Sequence, residues 1–329
     1  MAVSVTTSQR PGRIAWIGRV WTWLFLIGLL GFFELWSQLG AGHSFVANLY
    51  NVQAILLAAS APLMLAIGQT FVIITSGIDL SVGFVMGLAA VVAARVADRM
   101  GDTGWAMPAA LVAALAVCAV PGLINGLLIA RLAVPAFIGT LGVYGIARGA
   151  GFLLAGSNMT VSVSHERLDW LGSGWTPIIA TGLVLAVMHL VLSTTRFGHY
   201  TYAIGGSAQS ARRAGIDVRR HLTVVYVLSA VFAGVGGVVY TARYSAGAAN
   251  AGESMLLDSI AAVVIGGASL FGGTGTLIGT LIGSLIIAVI NFGLIFIDVD
   301  AFWQFIAVGV VIILSVLVDQ YKARLGVES

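Results

Sequence analysis

Apolar residues in this chain come in long unbroken runs separated by short polar breaks, without the period-two alternation of a membrane barrel strand. A bilayer core needs roughly 20 apolar residues per helix. Runs of that kind lie at 20–39, 54–75, 80–97, 106–130, 134–155, 176–194, 221–241, 257–271, 277–297 and 301–319. The pattern predicts an all-α polytopic membrane protein with about ten transmembrane helices. The eighth run is short and glycine-rich, so it reads as either a half-helix or a re-entrant segment.

Composition agrees with that reading. Of 329 residues, 59% are hydrophobic and only 9% are Asp, Glu, Lys or Arg. A soluble domain carries about 25% charged residues, so this chain lacks the means to cover a water-facing surface. Forty-two glycines suit helices that approach one another closely. A lone cysteine, Cys118, excludes an internal disulfide. The pI near 9.2 would fit nucleic-acid binding. On so apolar a chain it is better explained by membrane topology, with lipid rather than nucleic acid as the surroundings.

Cytoplasmic loops carry the excess of Lys and Arg. With ten crossings and a cytoplasmic N-terminus, eleven basic residues lie inside: Arg10, Arg13, Arg19, Arg131, Arg196, Arg212, Arg213, Arg219, Arg220, Lys322 and Arg324. Arg95, Arg99, Arg167 and Arg243 lie outside, and Arg148 falls within the fifth run. The first run is too long for a signal h-region and reads as a retained helix. The expected organisation is a cytoplasmic tail at 1–19, one transmembrane domain at 20–320 and a second cytoplasmic tail at 321–329.

One polar insert, residues 195–220, is long for a compact fold and so is expected to have its own structure. Gly205-Gly206 breaks the chain, Ser207 is placed to cap a short helix over 208–214, and Gly215 would stop it. The insert is either a basic loop that fixes topology or a helix that docks a cytoplasmic partner.

Catalytic motifs are absent. The single lysine, Lys322, follows Tyr321, so there is no GxxxxGK[ST] phosphate loop. No HExxH, CxxC or GxSxG occurs, so no metal site, cofactor or catalytic residue is expected. A transporter that drives itself needs intramembrane carboxylates for ion coupling. Only Glu34, Asp79, Asp258, Asp298, Asp300 and Asp319 lie in or near the runs, and all but Glu34 stand near the ends.

Two stretches interrupt the apolar pattern. Residues 66–83 (AIGQTFVIITSGIDLSVG) predict a broken helix whose freed backbone groups face protein or a water-filled path. Asp79 there either caps the third helix or helps to shape the path. Residues 265–286 contain Gly275, Gly279 and Gly283 at steps of four, a stripe for close helix packing or a hinge. A faint internal echo pairs 123–142 with 289–309, aligning Asn125 with Asn291.

Four blocks carry a resemblance that covers about residues 45–320. They are SGIDLSVG (76–83), LINGLLIARLAVPAFIGTLG (123–142), TRFGHYTYAIGGSAQSARRAGI (195–216) and LDSIAAVVIGGASLFGGTGT (257–276). Their order and spacing resemble the permease subunits of bacterial ATP-binding-cassette importers for ribose, xylose and related sugars. The resemblance implies a pair of permease chains in the type II arrangement, in the bacterial inner membrane. It also implies a separate cytoplasmic ATP-binding subunit and a periplasmic solute-binding protein. By motif match, Gly205, Gly206, Ala211, Arg212, Gly215 and Ile216 form the ATPase-coupling loop. Departures from the family's usual pattern are His199, Ser207, Ala214 and Ser76, where Arg, Asn, Ser and Gly are common.

Polar and aromatic candidates for the translocation path are Asp79, Asn125, Phe137, Thr140, Asn291, Trp303 and Gln304, each of which could equally serve interhelical packing. The competing functions are a self-sufficient secondary transporter or channel for a small polar solute, and a membrane scaffold that transports nothing.

Overall fold

The computed structural model describes residues 13–101, 103–163, 171–300 and 302–324. Its elements are α1 (Arg13–Ala41), α2 (Leu49–Ile74), α3 (Val82–Met100), α4 (Ala106–Ala130), α5 (Ala136–Ala155), β1 (Thr160–Ser162) and α6 (Thr176–Thr194). There follow α7 (Arg196–Gly206), α8 (Ala208–Arg213), α9 (Val218–Tyr244), β2 (Ala246–Ala248), α10 (Glu253–Ile265), α11 (Leu277–Phe296) and α12 (Phe302–Arg324). Among the described residues the protein is all-α apart from one two-stranded ribbon. Each of the ten apolar runs contains a helix. Helix reaches into both expected tails, since α1 starts at Arg13 and α12 runs to Arg324. The chain before residue 13 and after 324, with Arg167, lies outside the described residues.

Among the described residues seven helices are long and apolar enough to cross a membrane, namely α1 over Trp21–Gly40, α2, α4, α5, α6, α9 and α11. α3 carries Arg95, Asp98 and Arg99 near its end, and α12 is apolar over Phe302–Leu317. α10 is the exception that the glycine-rich eighth run anticipated. Its 13 residues span about 20 Å at 1.5 Å per residue, against a hydrocarbon core of about 30 Å.

The bundle is built around α2 and α9, whose packing depends on missing side chains. A Cβ at Gly68 of α2 would strike the Ser229 backbone of α9. At Gly122 and Gly126 of α4 it would strike α9 at Val227 and Thr223. Without side chains at these contacts, neighbouring backbones gain the dispersion contacts that hold membrane helices together. The Gly279 and Gly283 pair works in the same way, fitting α11 against Gly266 and Ala262 at the end of α10. Gly275 does not join that stripe. It lies in the preceding loop with φ +148°, because α11 begins only at Leu277.

Glu34, the one carboxylate deep in an apolar run, has a structural post. Its Oε2 accepts hydrogen bonds from Phe45 N (2.8 Å), Val46 N (2.8 Å) and Ser44 Oγ (3.0 Å), tying down the α1–α2 connection.

Candidate functional site

Two crossings are discontinuous, and they meet. The first breaks after α2. Ser76 adopts φ +62°, and the chain turns back so that the Gln69 amide donates to the carbonyl of Asp79 before α3 begins. The second breaks after α9. Ser245 adopts φ +47°, β2 pairs antiparallel with β1, and residues 249–252 then run along α3 to the start of α10. The track on α3 is Gly83, Gly87, Ala90 and Ala94, spaced along one helix face. A Cβ at Gly87 would overlap Ala249 O, and one at Gly83 would overlap Gly252 O. Irregular backbone at membrane depth is tolerated where protein covers it, and here protein does.

Beside this crossing lies a sealed polar cluster. Asp79 is fully buried. Its Oδ1 accepts from Ser81 N (3.0 Å) and Ser81 Oγ (2.6 Å), and its Oδ2 accepts from Ser229 Oγ of α9 (3.0 Å). Asn125 of α4 donates to Ser81 Oγ at 2.9 Å. The connection before α3, α4 and α9 are thus joined through Asp79 and Ser81. The N-cap of α3 is Ser81, not Asp79, although Asp79 accepts the Ser81 amide.

The expected path residues therefore divide. Asp79, Asn125 and Thr140 are all buried. Thr140 Oγ1 donates to Ala136 O at 2.8 Å within its own helix. Phe137 (56% exposed) and Trp303 (57%) stand on open surfaces of α5 and α12. Asn291 hydrogen-bonds Asp258, leaving its Oδ1 without a partner, as is Nε2 of Gln304 among the described residues. The structure does not gather these seven into one site.

It does gather three of the four sequence blocks at the end of the bundle where α2 finishes. Gly273 N donates to Ile74 O at 2.8 Å. Ser76 Oγ lies 2.8 Å from Phe271 O and 3.2 Å from Gly205 O, so one hydroxyl serves two carbonyls. Gly205 sits so tightly on Ile74 O that any side chain there would overlap it. Tyr202 donates its hydroxyl to Gly275 O at 2.7 Å, and burial pushes that phenol above its usual range. The insert 195–220 is thereby clamped to the turn after α2 and to the loop between α10 and α11.

Within the insert, the short helix appears with Ser207 Oγ accepting from Ser210 N, and Gly215 beyond its end has φ +85°. Sequence reasoning missed the preceding helix α7, taking its 11 residues as loop. The available signal was Thr195, which caps it, followed by Phe197, Thr201 and Ile204 at helical spacing. Ile204, Ala211 and Val218 form a small core of their own, with Ile216 against it. Gly206 and Arg212 remain exposed, and Arg212 and Gly215 border a shallow dent continued by Asp217 and Arg219.

A family model described as the branched-chain amino acid transport system permease component matches residues 51–316. The chain is 38% identical over 305 residues to the ribose import permease protein of Escherichia coli strain K12, covering 90% of this chain and 93% of that protein. It is 38% identical over 294 residues to the galactose/methyl galactoside import permease protein of the same strain (84% and 88%). Against the fructose import permease protein of Rhizobium meliloti it is 34% identical over 272 residues (78% and 74%). No solved structure matches at a significant level.

Proposed function

We propose a function from one premise: this chain belongs to the family of the branched-chain amino acid transport system permease component. The protein is the membrane-spanning subunit of an ATP-binding-cassette importer for a monosaccharide. It is paired with a second permease chain in the bacterial inner membrane, with both termini cytoplasmic. A separate cytoplasmic ATPase drives it and a periplasmic binding protein delivers the sugar. The sugar class is supported by the names of three relatives, which differ in the sugar but not in its kind.

The observation that carries the mechanism is the clamp around Gly205. ATP binding closes the ATPase and displaces the insert that docks on it through Gly206, Arg212 and the dent beside Gly215. α7 moves with the insert. Because Gly205 bears on Ile74 O, and Ser76 ties it to Phe271, that motion reaches both discontinuous crossings together. Gly205, Ala211 and Ile216 keep the insert rigid enough to transmit force, while Asp79, Asn125 and Thr140 hold the elements that must move as units. Phe137, Trp303, Asn291 and Gln304 belong to the faces that border the solute.

Proteoliposomes containing this chain, its ATPase and its binding protein should take up sugar only with ATP, and vanadate should stop it. Uptake that ignores vanadate would falsify the importer assignment and favour a self-driven transporter.

A further inference from the structure

Arg148 stands within α5, seven residues before the helix ends at Ala155, or about 10 Å along the axis. Its side chain is exposed. The guanidinium is nonetheless held in place, with Cζ 5.3 Å from the centre of the Phe84 ring and 5.9 Å from that of Phe152. Phe84 follows directly on Gly83, where the two discontinuous crossings touch. The charge is therefore fixed at the depth of that crossing instead of reaching toward the membrane surface. Among the described residues it has no ion-pair or hydrogen-bond partner.

Three surroundings could cover such a face, and two fit badly. Lipid would leave a fixed guanidinium in hydrocarbon, which costs several kcal/mol at helix centres. The next helix in the chain, α6, shows an uninterrupted apolar face, exposing Ile179, Leu183, Val187 and Leu190 with no charge among them. A second copy packed face to face would bring Arg148 toward its own symmetry mate, and α5 contains no carboxylate to neutralise either. Water remains. On the same side Gly142, Gly145 and Gly149 have nothing within 4 Å of a Cβ, so exposed side chains such as Ile138 and Leu141 stand among stretches of bare backbone. Phe137 lies eleven residues earlier, about 20° from three full helical turns, and so shares the azimuth of Arg148.

We propose that Arg148 contacts the solute from a water-lined wall formed by α5, between the aromatic Phe137 at one end and the crossing of the two discontinuous segments at the other. Its planar fork of donors suits the adjacent hydroxyl oxygens of a polyhydroxylated solute, and the rings of Phe84 and Phe152 hold that fork facing the passage. The solute class rests on the sugar-import reading above. The water-lined wall does not.

The test uses the reconstituted importer carrying Cys118→Ala, which removes the single native thiol. Arg148→Cys should react with a membrane-impermeant, water-soluble thiosulfonate within about tenfold of the rate at the exposed loop position Asn158→Cys. Leu183→Cys on α6 should resist it. Arg148→Cys behaving like Leu183→Cys overturns the proposal, as does a disulfide between two copies formed while the water-soluble reagent fails. Sugar uptake gives the second readout. Arg148→Leu should lower maximal uptake by at least about tenfold, and Arg148→Lys by clearly less, because Lys keeps the charge without the fork. Unchanged uptake in Arg148→Leu also overturns the assignment. Should the unsubstituted chain transport no sugar, the sugar reading fails while the labelling result still decides the wall.

Discussion

The crossing beside Asp79 and the clamp around Gly205 share the short connection after α2, with Ser76 in one and Asp79 in the other, yet they are built differently. At the crossing, the polar groups are mostly side chains, fully buried and tied among three segments through Asp79 and Ser81. At the clamp, the bonds run mostly to main-chain carbonyls, and Ser76 and Gly206 are exposed. A buried side-chain network in low dielectric has few alternative partners, so its geometry is stiff. Bonds at an exposed edge can exchange with water at little net cost. The crossing is therefore suited to move as a body, and the clamp is suited to adjust its hydrogen bonds while its parts stay in contact.

The largest effect that separates them is expected at the crossing. Gly87→Leu would drive a side chain into the Ala249 carbonyl where neither backbone can yield without opening the cluster. Overpacking of this kind costs about 1–3 kcal/mol in a core that can relax, and more where both partners are backbone. Folded protein should be scarce by gel filtration in detergent. A normal yield would show that the extended segment 249–252 is looser than its contacts imply.

At the clamp the second-largest effect should take another form. Gly205→Val overlaps Ile74 O, but α7 lies at the edge and can be displaced without unfolding the bundle. Thermal stability should fall only modestly, while sugar-stimulated ATPase activity and uptake should drop by about 100-fold, the signature of a lost mechanical link. Uptake near that of the unsubstituted chain would remove the clamp from the mechanism.

Sequence pattern showed some of this and concealed the rest. Ten apolar runs yielded ten helices, and even the half-length of α10 was visible, because Gly266, Gly267, Gly272 and Gly273 crowd its end. The resemblance placed Gly205 and Gly206 side by side as equals. Only three-dimensional packing separates them, since one meets a carbonyl 131 positions earlier in the chain and the other meets nothing. Asp79 looked available to the path because a carboxylate near a helix break is equally consistent with exposure and burial. Its burial depends on partners far along the chain, and Ser229 lies 150 residues away. Arg148 was visible as a charge within a run, but a one-dimensional pattern does not say which way a helix faces.

Ser76 offers a finer distinction because two replacements act on different properties. Ser76→Ala removes the hydroxyl that serves Gly205 O and Phe271 O while keeping the left-handed backbone. Ser76→Gly removes the hydroxyl but also relieves the backbone cost of about 1 kcal/mol that φ +62° imposes on a residue with a side chain. Both should reduce the ratio of stimulated to basal ATPase activity by about two- to fivefold if the hydroxyl transmits motion. Ser76→Gly should at the same time melt higher than Ser76→Ala. A ratio that follows melting temperature instead would assign Ser76 to stability alone.

The smallest effect is expected next door. Gly206 is exposed, has nothing within 4 Å of a Cβ, and does not show the positive φ that only glycine tolerates easily. Gly206→Ala in the isolated permease should therefore leave melting within about 0.5 kcal/mol of the parent, as surface replacements generally do. Gly206→Trp should be equally harmless to the subunit alone. In the assembled importer the two should part, with Trp weakening co-purification of the ATPase and Ala retaining it, if the vacant face at Gly206 docks the partner as proposed. If Trp changes neither assembly nor transport, the docking surface lies further along the insert, at Arg212 and the dent beside Gly215.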